Sequence, residues 1–140
     1  MSGANQISVS CSPAQGQTNT TVSFPVSISG NSRAISSFGL QLTFDTAMFQ
    51  YVATSKGSLT GDWTYIDGNA SSGTVTLGGF AGSGTTIATG NSGTIVIVTL
   101  RVTGGTYGDG QPSVVTIRSY ADDIAGMTPE PATTTFTYRK

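Results

Sequence analysis

There is no histidine in this chain of 140 residues. That removes the commonest general base, the Ser-His-Asp triad and the usual imidazole ligands of zinc. A single cysteine, Cys11, excludes an internal disulfide. It shares the parity of Ile7 and Val9 and reads as a small buried hydrophobe, since no His, Lys or Arg stands near it in sequence to activate the thiol. Charged residues make up only 9%, against about 25% in ordinary soluble domains. The net charge is −1, so no basic surface steers the chain to nucleic acid or to an anionic membrane. No run reaches the ~18 apolar residues that span a bilayer. The first residues carry neither a positive n-region nor an apolar h-region, so 1–5 read as a linker ahead of one domain that fills 1–140.

What the chain does have is glycine, 19 residues of it, and apolar residues at a spacing of two. Val22, Phe24, Val26 and Ile28 alternate with Thr21, Ser23, Ser27 and Ser29, and Phe38, Leu40, Leu42 and Phe44 alternate with Ser37, Gly39, Gln41 and Thr43. A period of two gives each strand one dry and one wet face. Strands are expected over 6–12, 20–29, 36–44, 50–56, 63–67, 74–81, 94–103, 113–118 and 133–139. Asp45 is placed to cap one helical turn at 46–49, and 68–73 reads as a turn. Pro25 marks an edge or a change of sheet, because it cannot donate to a ladder. The segment 94–103 is apolar on both parities and reads as a central strand covered on its outer side. The fold class is all-β: a nine-stranded antiparallel β-sandwich with jelly-roll topology and almost no helix.

Seven carboxylates are present: Asp45, Asp62, Asp67, Asp109, Asp122, Asp123 and Glu130. Most fall in turns, where Asx-turn or capping chemistry accounts for them. A glycosidase pair would have to face across a cleft. Asp122-Asp123 fall far short of a calcium ligand set, and the glycine clusters lack the Lys-Ser/Thr and helix of a phosphate loop. The expectation is a non-catalytic protein with no cofactor and no metal of its own.

The order of segments resembles the cohesin module of bacterial cellulosome scaffoldins. The likeness rests on Phe24-Pro25-Val26, on Ile35-Ser36-Ser37-Phe38-Gly39-Leu40-Gln41-Leu42-Thr43-Phe44-Asp45 with Phe49 four residues on, on Gly73-Thr74-Val75-Thr76-Leu77-Gly78-Gly79-Phe80-Ala81, on 93–102 and on Ser119-Tyr120-Ala121-Asp122-Asp123-Ile124. The resemblance implies a module that binds a dockerin, the calcium-loaded helical partner, on a flat sheet face. Such a module would sit extracellularly or at the cell surface within a larger secreted protein. Carried over by position, the face holds Ser37, Gly39, Gln41 and Thr43, then Leu77, Gly79 and Ala81, with Tyr120 and Ile124 at the rim. Simple hydrophobicity would bury Val75 and Leu77 instead; the register implied by the family buries Phe80 and exposes Leu77, and that register is adopted. Ser37 and Gly39 stand where well-known cohesins carry Asn and Asp, and Gly82 where an acid is common. The same flat face is open to weak pairing with its own copy. No nucleic acid and no membrane insertion are expected.

Two other readings stay open. A carbohydrate-binding module would need coplanar exposed aromatics, for which Trp63, Tyr65 and Tyr107 are candidates, with Tyr51 and Tyr120 beside them. Against it, Trp63 is also placed to pack over the end of the sandwich. A passive structural or adhesive module of a surface protein fits the Ser/Thr-rich strands.

Overall fold

Alternating side chains become two facing sheets. The computed structural model describes residues 6–29, 34–82, 86–88, 91–105, 107–122 and 132–140, with Gln6, Ser29 and residues 119–122 described by their backbone alone. Ten strands follow one another along the chain: β1 (Gln6–Val9), β2 (Gln15–Gly16), β3 (Thr21–Ser29), β4 (Ser37–Thr43), β5 (Phe49–Lys56), β6 (Tyr65–Ser71), β7 (Thr74–Phe80), β8 (Gly93–Val102), β9 (Pro112–Asp122) and β10 (Ala132–Tyr138). One sheet has the order β1-β3-β8-β5, the other β2-β10-β9-β4-β7-β6. The architecture is a jelly-roll sandwich with no helix among the described residues. The tenth strand is the two-residue β2, which pairs parallel to β10 inside a segment that reads as a turn.

Between the sheets lies one apolar layer. Phe49 forms its hub, edge-to-face with Phe24 at 5.6 Å and with Phe136 at 5.3 Å. Leu40, Leu42, Val75 and Leu77 enter from the six-stranded sheet, and Val96, Val98, Leu100 and Val102 from β8. Each such side chain contributes about 1.5–3 kcal/mol on burial.

Several local expectations change. Pro25 lies at neither an edge nor a sheet crossing: β3 is flanked by β1 and β8. The proline faces Ile97 of β8 and falls in the gap between the Val9–Val26 pair and the isolated Ser12–Ser23 bridge. The missing donor thus sits where the β1 ladder lapses. Cys11 is half-buried, its thiol directed at the Thr135 carbonyl at 3.4 Å. The turn expected at 68–73 contracts to two residues. β6 runs to Ser71, and Ser72 and Gly73, with φ of 52° and 84°, close a tight hairpin onto Thr74.

β8 is central to its sheet, and its start is covered as its pattern implies. The 57–63 segment folds over it, and the Thr60 hydroxyl, fully buried, donates to the Ile95 carbonyl at 2.7 Å while accepting from the Gly57 N–H at 2.8 Å. That fold-over carries Trp63 into the core beside Phe38, with ring centroids 5.6 Å apart.

Candidate functional site

The outer face of the six-stranded sheet is the largest regular surface the strands present. Its side chains follow from the register. Paired residues in adjacent strands point the same way, so the pairs of β6, β7, β4 and β9 assemble into rows across the sheet. The first row is Tyr65, Phe80, Ser37. The second is Asp67, Gly78, Gly39, with the backbone of Ala121 paired beside Gly39, and the third Asn69, Thr76, Gln41, Arg118. The fourth, Ser71, Thr74, Thr43, Thr116, continues into Thr133 of β10.

Ser37, Gly39, Gln41 and Thr43 therefore occupy the expected face, half-buried between their neighbours, while Phe38, Leu40 and Leu42 point inward. The strand 74–81 requires a correction. Leu77 is buried and pairs with the equally buried Leu40, so it is not on the face. Gly79 is buried too, and a Cβ there would lie 2.4 Å from the Ile66 Cδ1 and 2.7 Å from the Tyr65 carbonyl oxygen. Ala81, just past β7, packs half-buried against the core, with its N–H on the Ser36 carbonyl. Thr74, Thr76, Gly78 and Phe80 take the outer positions instead. Tyr120 lies in β9, where only the backbone is described, and Ile124 lies outside the described residues.

Phe80 stands 49% exposed, against the inward position expected for it. The reason is a cross-strand partner. Its ring stacks on Tyr65, also exposed, with centroids 5.3 Å apart and planes 18° from parallel, an arrangement that shields one face of each ring. The Tyr65 hydroxyl donates to Asp67 Oδ2 at 3.2 Å, and the Gly68 N–H to Asp67 Oδ1 at 2.8 Å, so the carboxylate is held in place. Partial desolvation, then the Asp67 charge, holds the Tyr65 phenol above its ordinary value. The missing side chain at Gly78 leaves a shallow depression of about 280 Å³ beside Tyr65, Asp67, Asn69 and Thr76. The sequence signal for this corner was the Val75/Leu77 parity, which put Phe80 outside.

In the second row, nothing larger than a glycine stands on β7 or β4. A Cβ at Gly78 would touch only the Phe38 carbonyl oxygen, at an ordinary 3.5 Å. On β6, β7, β4 and β9, the charged side chains among the described residues of this face are Asp67 and Arg118. Neither has an ion-pair partner among those residues.

The other candidates are accounted for structurally. Trp63 is 2% exposed, so the coplanar platform of Trp63, Tyr65 and Tyr107 does not form. Tyr107 instead donates to Asp45 Oδ2 at 2.5 Å. That bond, helped by the Ala47 N–H on Oδ1, holds the Asp45 carboxyl below its ordinary value and the Tyr107 phenol above its own. Asp45 closes the 46–48 turn, its carbonyl accepting from the Met48 and Phe49 N–H groups. Among the described residues, no three metal-ligating side chains converge. The Asp123 carboxylate lies outside the described residues, and Asp122 is described by backbone alone.

Comparison with known proteins agrees with this architecture. The chain is similar to a non-cellulosomal cohesin from the archaeon Archaeoglobus fulgidus (TM-score 0.69, 20% identity, covering 96% of this chain and 92% of that one). It is similar also to the third cohesin of ScaC from Acetivibrio cellulolyticus, solved in complex with the ScaB dockerin (TM-score 0.72, 12% identity, 96% and 100%). A cohesin of OlpA from Clostridium thermocellum, solved in complex with a dockerin, matches with a TM-score of 0.72 at 15% identity, covering 95% of this chain and 99% of that one. A search of curated proteins gives no match. The family model described as "Cohesin domain" matches residues 7–136. On that span, nearly its whole length, the chain belongs to the cohesin family.

Proposed function

We propose that this domain is a non-catalytic recognition module that binds a calcium-loaded dockerin through the outer face of the six-stranded sheet. In a secreted or surface protein it would anchor enzymes or other modules in an extracellular assembly. The observation that carries the reading is the glycine pair Gly39–Gly78 at the centre of that face. Two facing glycines in neighbouring strands expose backbone, so a partner helix can lie against the sheet at close range with only Cα hydrogens between. The surrounding Ser37, Gln41, Thr43 and Thr76 supply hydroxyl and amide groups able to donate or accept. The stacked Tyr65 and Phe80 supply an apolar anchor of the type that dominates binding energy at interfaces.

Shape and neutral hydrogen bonds replace the acidic contacts for which Asn and Asp would serve at the positions of Ser37 and Gly39. Cohesins of Acetivibrio cellulolyticus and Clostridium thermocellum with this fold are solved with dockerins bound, which supports the partner class. The variant Gly78→Glu tests the surface. Its Cβ has room, so the melting temperature should hold while dockerin binding is lost to the bulk and charge. Retained affinity in a folded Gly78→Glu protein would place the binding surface elsewhere.

A further inference from the structure

Among the described residues of β6, β7, β4 and β9, the two charges of the face sit on opposite flanks: Asp67 on β6 and Arg118 on β9, with β7 and β4 between them and one row apart. Such a surface is complementary to itself. A two-fold axis lying in the plane of contact and running along the strands, between β7 and β4, lays β6 of one copy on β9 of the other and β4 on β7. Asp67 is then offset by one row, about 7 Å along the strands, from the second copy's Arg118 across sheets stacked about 10 Å apart, a gap that the two facing side chains together can span. By symmetry the reverse pair forms as well. The same axis sets Gly39 against Gly78, where the backbones approach freely, and the protruding Phe80 against the small Ser37. An axis perpendicular to the strands would leave β6 on β6 and neither charge answered.

From this self-complementarity we infer that the sheet face pairs with a second copy of this chain, as a two-fold dimer held by reciprocal Asp67–Arg118 ion pairs around the glycine centre. This goes beyond the dockerin reading and does not depend on it; dimer and dockerin would compete for one face. Strand and residue spacings give the face roughly 500 Å² per copy, below the ~800 Å² per partner of a standard stable interface. The dimer is accordingly weak and concentration-dependent, and a tight partner displaces it.

Analytical ultracentrifugation without any dockerin tests it. The weight-average mass of the wild-type domain should rise toward that of a dimer as its concentration approaches about 1 mM, the range in which a small interface associates. Asp67→Arg alone and Arg118→Asp alone each replace two attractions by two repulsions and should weaken the dimer about tenfold or more. Mixing the two variants restores opposite charges at both contacts and should restore association as a heterodimer. Unchanged melting temperatures establish that both variants fold; should either fail to fold, Asp67→Asn and Arg118→Gln take their place, with a smaller loss expected. A monomer mass that stays constant up to that concentration overturns the inference. So does a dimer that ignores the single charge reversals, or one that mixing fails to rescue. Because no dockerin is present, these outcomes are separate from the success or failure of dockerin binding.

Discussion

Gly78 and Gly79 are neighbours in one strand, and the same substitution at each should have opposite effects. Gly78 points outward, where an added methyl meets only the Phe38 carbonyl oxygen at 3.5 Å. Replacing glycine by alanine where the backbone tolerates it stabilises by about 0.4–1 kcal/mol, because the unfolded chain has less freedom to lose. Gly79 points inward, where a methyl would stand 2.4 Å from the Ile66 Cδ1 and 2.7 Å from the Tyr65 carbonyl oxygen. The isoleucine tip can turn aside, but the carbonyl belongs to the paired strand β6, so the ladder itself must shift. Overpacking of this kind costs about 1–3 kcal/mol, which outweighs the entropic gain. In a domain of this size each kcal/mol moves the melting temperature by roughly 3–4 °C. Gly79→Ala should therefore melt several degrees below the wild type and Gly78→Ala at or slightly above it, read by calorimetry or circular dichroism. If Gly78→Ala proved the more damaging of the two, the register of β7 would be inverted and the face described here would be the wrong one.

The same register requires Leu77→Ala to cost about 2–5 kcal/mol in urea denaturation, since it opens a cavity beneath Leu40; a cost below about 1 kcal/mol would mean an exposed side chain. Thr60→Val keeps the shape but strands the Ile95 carbonyl and the Gly57 N–H, at an expected cost of about 1–3 kcal/mol in the same assay. The Tyr107–Asp45 bond predicts a pH signature. Asp45 is lowered from 3.8, so its contribution is present above that pH and fades as pH falls through its folded value. Tyr107 is raised from 10.0, so its contribution is present below that pH and fades as pH rises through its folded value. The stability difference between wild type and Tyr107→Phe should thus be largest near neutrality and shrink at both extremes; a difference flat across the whole range would exclude the bond.

Where alternation is unbroken the sequence reads directly into structure, and β4 is the example. Four small or polar residues flank and separate Phe38, Leu40 and Leu42, leaving one register open, and Ser37, Gly39, Gln41 and Thr43 fall on the outer face. β7 was less legible for a physical reason. Gly78 and Gly79 carry no side chain to mark a parity, and its one large terminal residue, Phe80, faces outward because Tyr65 of β6 is there to stack on it. That pairing belongs to the tertiary register and cannot be read from either strand alone. In the sequence β6 reads as ending at Asp67 because Gly68-Asn69 imitate a turn, whereas the reversal waits for Ser72-Gly73. Gly68 is required for another reason: a Cβ there would come within 2.4 Å of the Thr54 hydroxyl oxygen on β5. The low charge of the chain, by contrast, was visible at once, and it survives folding as a broad face with one acid and one base among its described strand residues.

The most direct test of the central claim is calorimetric titration of the domain with a panel of dockerin modules, first in calcium and then in a chelator. The account predicts tight, roughly one-to-one binding to at least one dockerin, abolished by the chelator and by Gly78→Glu. Silence across the whole panel, or binding that Gly78→Glu leaves intact, would contradict it.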